Sequence, residues 1–545
     1  MHNIHRWTAL SFALILALAG TLLLLTLLTV SSPVHAAPLI TRYVATTGVN
    51  SSNTCTNSSF PCRTVQYAVD VSTPGNIILV ARGVYTDLHA RAVPPGYFAP
   101  ASVDVITQVL YLSKTVTIRG GYTTAFEYPP DPEANPTTLG VPAGRHARVV
   151  LIMGDINPTL SGLRLTGGDA TGLGGGWGRY DAGGGILIIS ATATLETNRI
   201  YNNTASDGGG VYLWYSPTTL RSNTVATNTV EKMGGGIAMW GSDATLEENT
   251  VVSNTASLHG GGLYLNYSQA TLQGNTIISN TGHHGGGLNL NWQSAATLNA
   301  NTIVANMANG GGGGASLNYS NATFNDNLIA ANVAAAGGGL YLSNDSQARL
   351  VRNRIISNTA NDGGGVYLHT SKPAFTNTVI ADNWAKYDGG GLYITFRSSP
   401  HLLHTTIARN KSLDGSGIYV TNDLTAYSTV IMTNTILVSH TIGITVAAGN
   451  TATLVSTLWY SNTYDGRGAG AIFTGTLNYR GQPRFAADGY HLLAGSAAID
   501  RGINAGVLND IDGDTRPDCV RWDIGADEHL GGACLQLYLP LILRQ

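Results

Sequence analysis

Charged side chains are scarce in this 545-residue chain, at 11% of the residues, and the formal net charge is −3. Proteins that bind nucleic acid usually carry a basic stripe that displaces counterions from the phosphates. Here 29 basic residues stand against 32 acidic residues. The composition therefore argues against a nucleic-acid partner.

Long apolar runs are also few, since only the run from Ala9 to Val30 reaches spanning length. Arg6 precedes the run, and Val34-His35-Ala36 fits a small-residue cleavage site, so residues 1–36 are predicted to be a signal peptide. The alternative is an uncleaved membrane anchor, because the run is longer than a usual signal core. The expected location is secreted or on the cell surface.

Cysteine is rare, with four residues in two close pairs, Cys55 with Cys62 and Cys519 with Cys534. Neither pair has the second pair nearby that a zinc site would require. In an oxidising compartment the spacing predicts two local disulfides, one near each end of the central region. Four unrelated reduced thiols are the alternative.

Helical periodicity is missing from the middle of the chain, where glycine recurs instead. A Gly-Gly-Gly block returns every 26 residues on average, since nine intervals cover the 232 residues from 184 to 416. The middle residues of the blocks are Gly184, Gly209, Gly235, Gly261, Gly286, Gly313, Gly338, Gly364 and Gly390, followed by the variant Gly415-Ser416-Gly417. After each block the sequence alternates, as in Leu263-Tyr264-Leu265, which indicates a half-buried strand.

Short strands at this period predict a solenoid of β-coils, because a propeller blade needs four strands and ~40 residues per repeat. Coils stack at strand spacing, so residues 184–416 should form about nine coils in a rod of ~43 Å, at ~4.8 Å per coil. The glycine blocks are interpreted as tight corners that need positive φ.

Two columns of asparagine run through the repeats. The first contains Asn198, Asn223, Asn249, Asn275, Asn301, Asn327, Asn353 and Asn377. The second contains Asn203, Asn228, Asn254, Asn280, Asn306, Asn332, Asn358, Asn383 and Asn410. Asparagine tolerates left-handed turns, and its amide can donate to one neighbouring coil while accepting from the other. We expect ladders at the coil corners; attachment of a glycan or contact with a ligand is the alternative.

The Gly-Gly-Gly-Leu-Tyr and Leu-x-x-Asn-Thr units resemble the right-handed parallel β-helix repeats of the pectin-lyase-like superfamily and the repeats of polymorphic outer-membrane proteins. The resemblance covers roughly residues 40–530. It implies an all-β fold with an N-terminal cap and first coils at 37–150, repeats at 151–440 and last coils at 441–484. Activity does not follow, because this scaffold hosts lyases, hydrolases, adhesins and stalks.

The C-terminal region carries a second resemblance, on three motifs. These motifs are Leu493-Ala494-Gly495-Ser496-Ala497-Ala498-Ile499-Asp500-Arg501-Gly502, Asp510-Ile511-Asp512-Gly513-Asp514-Thr515-Arg516-Pro517 and Asp523-Ile524-Gly525-Ala526-Asp527-Glu528. Their order and spacing resemble the choice-of-anchor Q domain of secreted β-helix proteins, which places such a domain at 485–530 and a tail at 531–545. The resemblance implies surface association or sorting.

Asp510, Asp512 and Asp514 are candidate metal ligands, since they alternate around Gly513 as in calcium loops. The glycine comes one place too early for the EF-hand pattern, and no glutamate closes the loop at the right distance. A turn paired with Arg516 is the favoured interpretation, and calcium is the alternative.

Carboxylates also recur in the residue before each glycine block. This column contains His259 and His284 and then, in three consecutive coils, Asp362, Asp388 and Asp414. Stacked carboxylates ~5 Å apart repel one another unless a cation bridges them, and calcium accepts such oxygen ligands. The three are the candidate catalytic residues. The favoured alternative is ordinary Asp-Gly turn chemistry, since the column varies freely to Met and Ala.

An aromatic row follows the glycine blocks. It consists of Tyr212, Tyr264, Tyr341, Tyr367, Tyr393 and Tyr419, with Trp214, Trp240, Trp292 and Phe396 close behind in sequence. Alternation places the tyrosines outside if Leu263 and Leu265 point inward. Exposed aromatic rows are typical of recognition surfaces and stack well on sugars, so the candidate glycan-binding residues are Tyr264, Trp292, Tyr341, Tyr367 and Tyr393. A stack that only stabilises neighbouring coils explains the row equally well.

Catalytic motifs are missing: there is no Gly-His-Gly signature, nucleophile elbow, phosphate loop or recognisable proton-abstracting base. Near-constant coil lengths leave few residues for the walls of a cleft. The sequence therefore favours an exported, surface-associated β-helix that binds a polysaccharide or cell-surface component as an adhesin or stalk, without catalysis or a required cofactor. The alternative is a calcium-dependent polysaccharide lyase or glycoside hydrolase.

Overall fold

The computed structural model describes residues 39–422, 426–475 and 477–531, and those from Thr41 onward belong to one compact unit. The predicted signal peptide, most of the tail and Cys534 lie outside the described residues, so the second predicted disulfide stays a prediction. No helix in the described ranges is both long and apolar enough to cross a membrane.

The chain forms a parallel β-solenoid of about 13 turns with ~26 residues per turn, which confirms the predicted fold class. Each turn contributes strands to a 15-stranded sheet and to a 29-stranded sheet that is bent at a corner, and several turns add a short strand on a third side. Helix is limited to Val65–Asp70 and a 3-10 turn, Trp177–Arg179, in the described residues.

The 29-stranded sheet is called sheet 1. Its strands are Thr41–Val44, Ile77–Ala81, Gly83–Tyr85, Thr117–Tyr122, Thr137–Gly140, Thr159–Ser161, Leu163–Thr166, Thr194–Glu196, Arg199–Tyr201, Thr219–Arg221, Thr224–Ala226, Thr245–Glu247, Thr250–Val252, Thr271–Gln273, Thr276–Ile278, Thr297–Asn299, Thr302–Val304, Thr323–Asn325, Leu328–Ala330, Arg349–Val351, Arg354–Ile356, Ala374–Thr376, Val379–Ala381, His401–Leu403, Thr406–Ala408, Thr429–Val438, Thr451–Tyr460, Ala471–Thr474 and Asn478–Arg480.

The 15-stranded sheet, sheet 2, follows the glycine blocks. Its strands are His89–Ala92, Val105–Leu112, Arg148–Met153, Ile186–Ile189, Val211–Trp214, Ile237–Trp240, Leu263–Asn266, Leu288–Asn291, Ala315–Asn318, Leu340–Ser343, Val366–His369, Leu392–Thr395, Ser416–Val420, Ile442–Val446 and Tyr464–Arg467. The short strands of the third side are Thr204–Asp207, Thr229–Met233, Thr255–Ala256, Thr281–Gly282 and Met307–Ala308, and then Thr359–Ala360 and Trp384–Ala385.

Equivalent residues of successive coils pair directly, so the core is a set of columns. Leu220 aligns with Leu246 and Leu246 with Leu272, and all three are fully buried. Burying one such side chain contributes ~1.5–3 kcal/mol, and the constant register repeats that contribution in every coil. The apolar alternation in the sequence thus sets which residues point inward.

Both asparagine ladders form as predicted over most of their length. Asn249 Nδ2 donates to Asn275 Oδ1 at 3.0 Å in the next coil and to the carbonyl oxygen of Leu220 at 2.8 Å in the previous one. The left-handed conformation falls on the residue before the asparagine, as at Glu248, where φ is 54°.

The first ladder ends at Asn353, so the prediction for Asn377 was wrong. Asn353 pairs in register with Thr378, because Arg354 aligns with Val379. Asn377 takes the left-handed position instead, with φ at 47°, and its Nδ2 donates to the carbonyl oxygen of Asn509 at 2.5 Å. Asn377 is thus shifted by one residue from the ladder position, and its side chain contacts the C-terminal segment instead of extending the ladder.

Glycine is needed in these blocks for two separate reasons. The first glycine is left-handed, with φ of 58° at Gly208 and 67° at Gly234, as the sequence predicts. The second glycine lies against the next block: a Cβ on Gly209 would come within 2.8 Å of the carbonyl oxygen of Gly235. Close approach of backbone to backbone, which the sequence did not indicate, therefore explains the rest of the triplet.

The N-terminal end is closed by a short helix and a disulfide. Thr64 caps Val65–Asp70 by accepting from the backbone N of Tyr67, and Val65 and Ala68 are buried in the core. The predicted Cys55–Cys62 disulfide is confirmed, with the two Cα atoms 5.1 Å apart.

The C-terminal segment, residues 485–531, packs along the side of the last coils. Leu492, Ile511 and Ile524 form an apolar cluster with Ile436 and Leu458 of sheet 1. The docking is also polar, because Asn434 exchanges hydrogen bonds of 2.8 and 2.9 Å with the backbone of Ile503.

Candidate functional site

Four tyrosines form a stacked row on the outer side of sheet 2. The centroid distances are 5.3 Å from Tyr341 to Tyr367, 4.8 Å from Tyr367 to Tyr393 and 5.6 Å from Tyr393 to Tyr419, with interplanar angles of 7–22°. All four are half-buried. Because each inner ring is stacked between two others, the inner rings offer edges and hydroxyls. At the first end of the row, the ring of His284 lies 6.1 Å from the ring of Tyr341.

Tyr264 and Tyr212 do not belong to this half-buried row, which corrects the prediction that Tyr264 offers its ring to a glycan. Both rings are buried, at 1% and 0% exposure. The Tyr264 ring lies beside Trp240 and His259, and its hydroxyl accepts from Asn291 Nδ2 at 3.2 Å. Side chains of the adjacent coils cover a position that alternation correctly places outside the core.

A second aromatic row lies at the corner where sheet 2 ends, and the sequence pattern gave only one of its members. It consists of Tyr215, Tyr267, Trp292 and Tyr319, with exposures between 45% and 61%. Trp292 stacks on Tyr319 with centroids 5.0 Å apart. The shared position, directly after each four-residue strand, is the signal that would have identified the others.

A wall stands at the N-terminal end of this face. Trp177 stacks on Trp214 at 5.8 Å and on Trp240 at 5.9 Å, and Phe98 packs edge-on against Trp214 at 5.2 Å. Together with Tyr215 and neighbouring residues, the tryptophans line a cavity of about 420 Å³. Phe98 and Trp177 belong to segments before residue 184, which is why even coil lengths in the repeats did not predict their part of the wall.

A polar groove of about 300 Å³ opens between buried Tyr264 and the start of the tyrosine row. Asn289 and Ser316 occupy the two positions where neighbouring coils carry tyrosine, so the row is interrupted there. His259 and His284 line one side of the groove, and Asn318 lines another part of it. Of these residues, only the histidines stood out in the sequence, as members of the column before the glycine blocks.

Two of the three histidines that line the groove, His259 and His284, are uncharged at neutral pH. Burial, with help from His259 and His283, lowers the pKa of His284 to about 4. Burial likewise lowers the pKa of His259. His284 Nδ1 accepts from the backbone N of Gly311 at 2.9 Å, so the neutral ring carries its proton on Nε2.

The candidate catalytic column, Asp362, Asp388 and Asp414, is stacked but not arranged as a ligand set. Asp362 Oδ1 accepts from the backbone N of Asp388 at 3.2 Å, and Asp414 Oδ1 accepts from Ser412 Oγ at 2.6 Å. Burial and the other two carboxylates raise the pKa of Asp388 to about 6. Among the described residues, the only group of three or more His, Cys, Asp or Glu at metal-ligand spacing lies elsewhere.

That group is His491, Asp512 and Asp527 in the C-terminal segment. His491 Nε2 lies 2.5 Å from Asp512 Oδ2, and its Nδ1 contacts Asp488. Burial opposes the charge, but the hydrogen bonds with Asp488 and Asp512 raise the pKa of His491 to about 9. The protonated ring is ion-paired with both carboxylates.

The predicted pairing of the aspartate turn with Arg516 was wrong. Asp510 is fully buried and accepts from the backbone N of Asp512 and Asp514, at 2.9 and 2.8 Å, so it serves its own turn. Arg516 instead forms a buried salt bridge of 2.8 Å with Glu528. The three aspartates therefore do not share a ligand position.

Comparison with known proteins supports the fold. The sequence matches the family described as the right-handed beta helix region over residues 184–355 and 313–479, which together cover more than half of the chain. No curated protein matches it. The crystal structure of pectate lyase Pel9A is similar at 12% sequence identity and a TM-score of 0.23, over 90% of this chain and 96% of that one, values too low to carry an argument. The matched residues include all the coils of the aromatic face, and the chain is therefore a member of the right-handed β-helix family.

Proposed function

We propose that this protein is an exported, surface-associated rod that binds polysaccharide along the outer face of sheet 2 without catalysis. The single observation that carries the proposal is the combination, on one face, of two aromatic rows and a polar groove between aromatic neighbours. Aromatic and hydroxyl-rich surfaces of this kind bind amphipathic ligands such as sugars. The apolar run Ala9 to Val30 and the anchor-type motifs after Leu493 support export and surface association.

A calcium-dependent lyase is the second candidate, and the column of Asp362, Asp388 and Asp414 favours it. The column adjoins the tyrosine row, and Asp388 has a pKa of about 6, as a proton-transferring group would need. Against this candidate, Asp414 is bonded within its own loop. The column also lies outside the only group at metal-ligand spacing in the described residues.

The test measures retention of the purified protein on a panel of immobilised polysaccharides together with ultraviolet absorbance of unsaturated product. Combined Tyr341→Ala, Tyr367→Ala and Tyr393→Ala should abolish retention while the circular dichroism of the rod is unchanged. If each aromatic contact contributes ~0.5–1.5 kcal/mol, the three together lower affinity by about tenfold or more.

The two candidates give opposite results for Asp362→Asn, Asp388→Asn and Asp414→Asn combined. Glycan binding without catalysis predicts no product from the wild type, with or without calcium. The lyase predicts product that disappears in this variant and on chelation of calcium, which would overturn the proposal. If the tyrosine variant is retained as well as the wild type, the tyrosine row does not bind glycan and only stabilises the packing of neighbouring coils.

A further inference from the structure

One residue that lines the polar groove carries a buried hydrogen-bond acceptor that no described residue satisfies. Asn289 is only 3% exposed, and its Oδ1 has no hydrogen-bond partner among the described residues. A buried acceptor without a partner is costly, and such atoms are rare in folded proteins. A donor on a molecule bound in the groove would supply the missing partner.

The wall of the groove is already ordered by its own hydrogen bonds. Asn318 Nδ2 donates to Asn291 Oδ1 at 2.7 Å, and Asn344 Nδ2 donates to Asn318 Oδ1 at 2.6 Å. Asn291 Nδ2 in turn donates to the Tyr264 hydroxyl. Since these amides are fixed before a ligand arrives, little conformational entropy is lost when one binds.

Charge limits what the groove can accept. No lysine or arginine is among the described residues that line it. The histidine column on one side continues through Gly311 and Ala336 to Asp362, so a chain lying along the rod meets an acidic row within about three coils, or ~14 Å.

We propose that this groove binds an uncharged sugar unit, with a sugar hydroxyl donating to Asn289 Oδ1, and that the acidic column disfavours uronate chains. This inference rests on the proposed glycan binding and adds the class of glycan and the residue that recognises it. Tyr341, the first ring of the tyrosine row, borders the same groove, and its ring lies 6.1 Å from the ring of His284.

Calorimetric titration of the full chain in a calcium chelator tests the inference, with cellohexaose, mannohexaose, xylohexaose and hexagalacturonic acid as probes. At least one neutral hexamer should bind, and hexagalacturonic acid should bind about tenfold more weakly or not at all. Asn289→Leu should weaken the neutral ligand by about tenfold, because the acceptor is lost. Asn299→Leu, at an outward position of sheet 1, is the matched control and should leave the affinity unchanged.

A second variant guards against misfolding. Ser316→Tyr restores the residue type that Tyr341 carries at the same position of the next coil, so it suits the strand and fills the groove. It should abolish neutral binding at an unchanged melting temperature. If hexagalacturonic acid binds best, or if Asn289→Leu and Ser316→Tyr bind as the wild type does, the inference falls while glycan binding stands. If no probe binds, both fall.

Discussion

Asparagine at the coil corners serves both neighbouring coils with one amide group. In Asn275, Nδ2 donates to Asn301 and to the carbonyl oxygen of Leu246, while Oδ1 accepts from both nitrogens of Asn249. Aspartate has no donor and leucine has neither group, so neither can complete the set. The residue type at these corners is thus fixed by hydrogen bonding, and the columns serve the fold.

Asp388 gives a prediction about pH. Its pKa rises from 3.8 to about 6 in the folded protein, so the folded state holds more protons than the unfolded state between these values. Stability attributable to this group is therefore greatest below about pH 4 and falls as the pH rises through about 6. Asp388→Asn should melt at a higher temperature than the wild type at about pH 8 and at a similar temperature at about pH 4.

Scanning calorimetry at the two pH values measures this difference. Asp345→Asn is the control, because Asp345 is exposed at a corner, and it should leave the wild-type pH profile unchanged. A lower melting temperature for Asp388→Asn at about pH 8 would show that the carboxylate has a stabilising partner, contrary to the assignment.

Some properties of single residues could be predicted from the sequence, and others could not. The spacing of asparagines and cysteines predicted the ladders and the Cys55–Cys62 disulfide, because local geometry decides both. It could not predict that Tyr264 is covered, since alternation gives the direction of a side chain and not what lies above it. Asn289 was overlooked for a related reason: its lack of a partner depends on three adjacent coils.

At the scale of elements, the C-terminal segment is an irregular strip held to sheet 1 by specific contacts. Gly525 N donates to the carbonyl oxygen of Asn434 and Ala526 N donates to Thr406 Oγ1, at 2.9 and 3.0 Å. The order of its motifs could be recognised in the sequence. Its position could not, because its partners are about 100 residues away and belong to the regular repeat.

The buried salt bridge of this segment should be essential to its docking. Arg516 donates to Glu528 and to the carbonyl oxygen of Gly525, and the Arg516 and Glu528 side chains are almost completely buried. Arg516→Met leaves a buried carboxylate without its partner, so we expect ~3–5 kcal/mol of destabilisation. Limited proteolysis should then cut within 485–530 while the β-sheet circular dichroism of the coils persists.

Two variants provide the comparison. Arg516→Met combined with Glu528→Gln should recover part of the loss, because the unpaired charge is removed. Arg221→Met breaks an exposed pair with Glu247, and it should cost no more than ~1 kcal/mol. Equal sensitivity to protease in the Arg516 and Arg221 variants would contradict a structural role for the buried pair.

At the scale of the whole molecule, the coils are interchangeable in register. Ala315 aligns with Leu340 as Leu288 aligns with Ala315, and the ladders continue unbroken across these coils. The fold class and the length of a coil were predictable because the same short pattern recurs through the repeats. The N-terminal wall was not, since it depends on loops without a repeat.

Removal of one complete coil should therefore be tolerated. Deletion of 315–339 joins Gly314 to Leu340 and places Asn301 opposite Asn353, so every column is restored. We expect a cooperative melt near that of the wild type and a rod shorter by ~4.8 Å in small-angle scattering. Deletion of 315–327 removes half a coil, misaligns the corners and should give an unfolded or aggregated protein.

The same register has a consequence for the gene. Because segments of about 26 codons encode structurally equivalent coils, recombination between two copies that are misaligned by one repeat adds or removes a whole coil and leaves both junctions in frame and in register. Such an exchange changes the length of the outer face of sheet 2 without creating a new corner. The number of coils can thus change by recombination while the two ends, whose sequences are not repeated, stay the same.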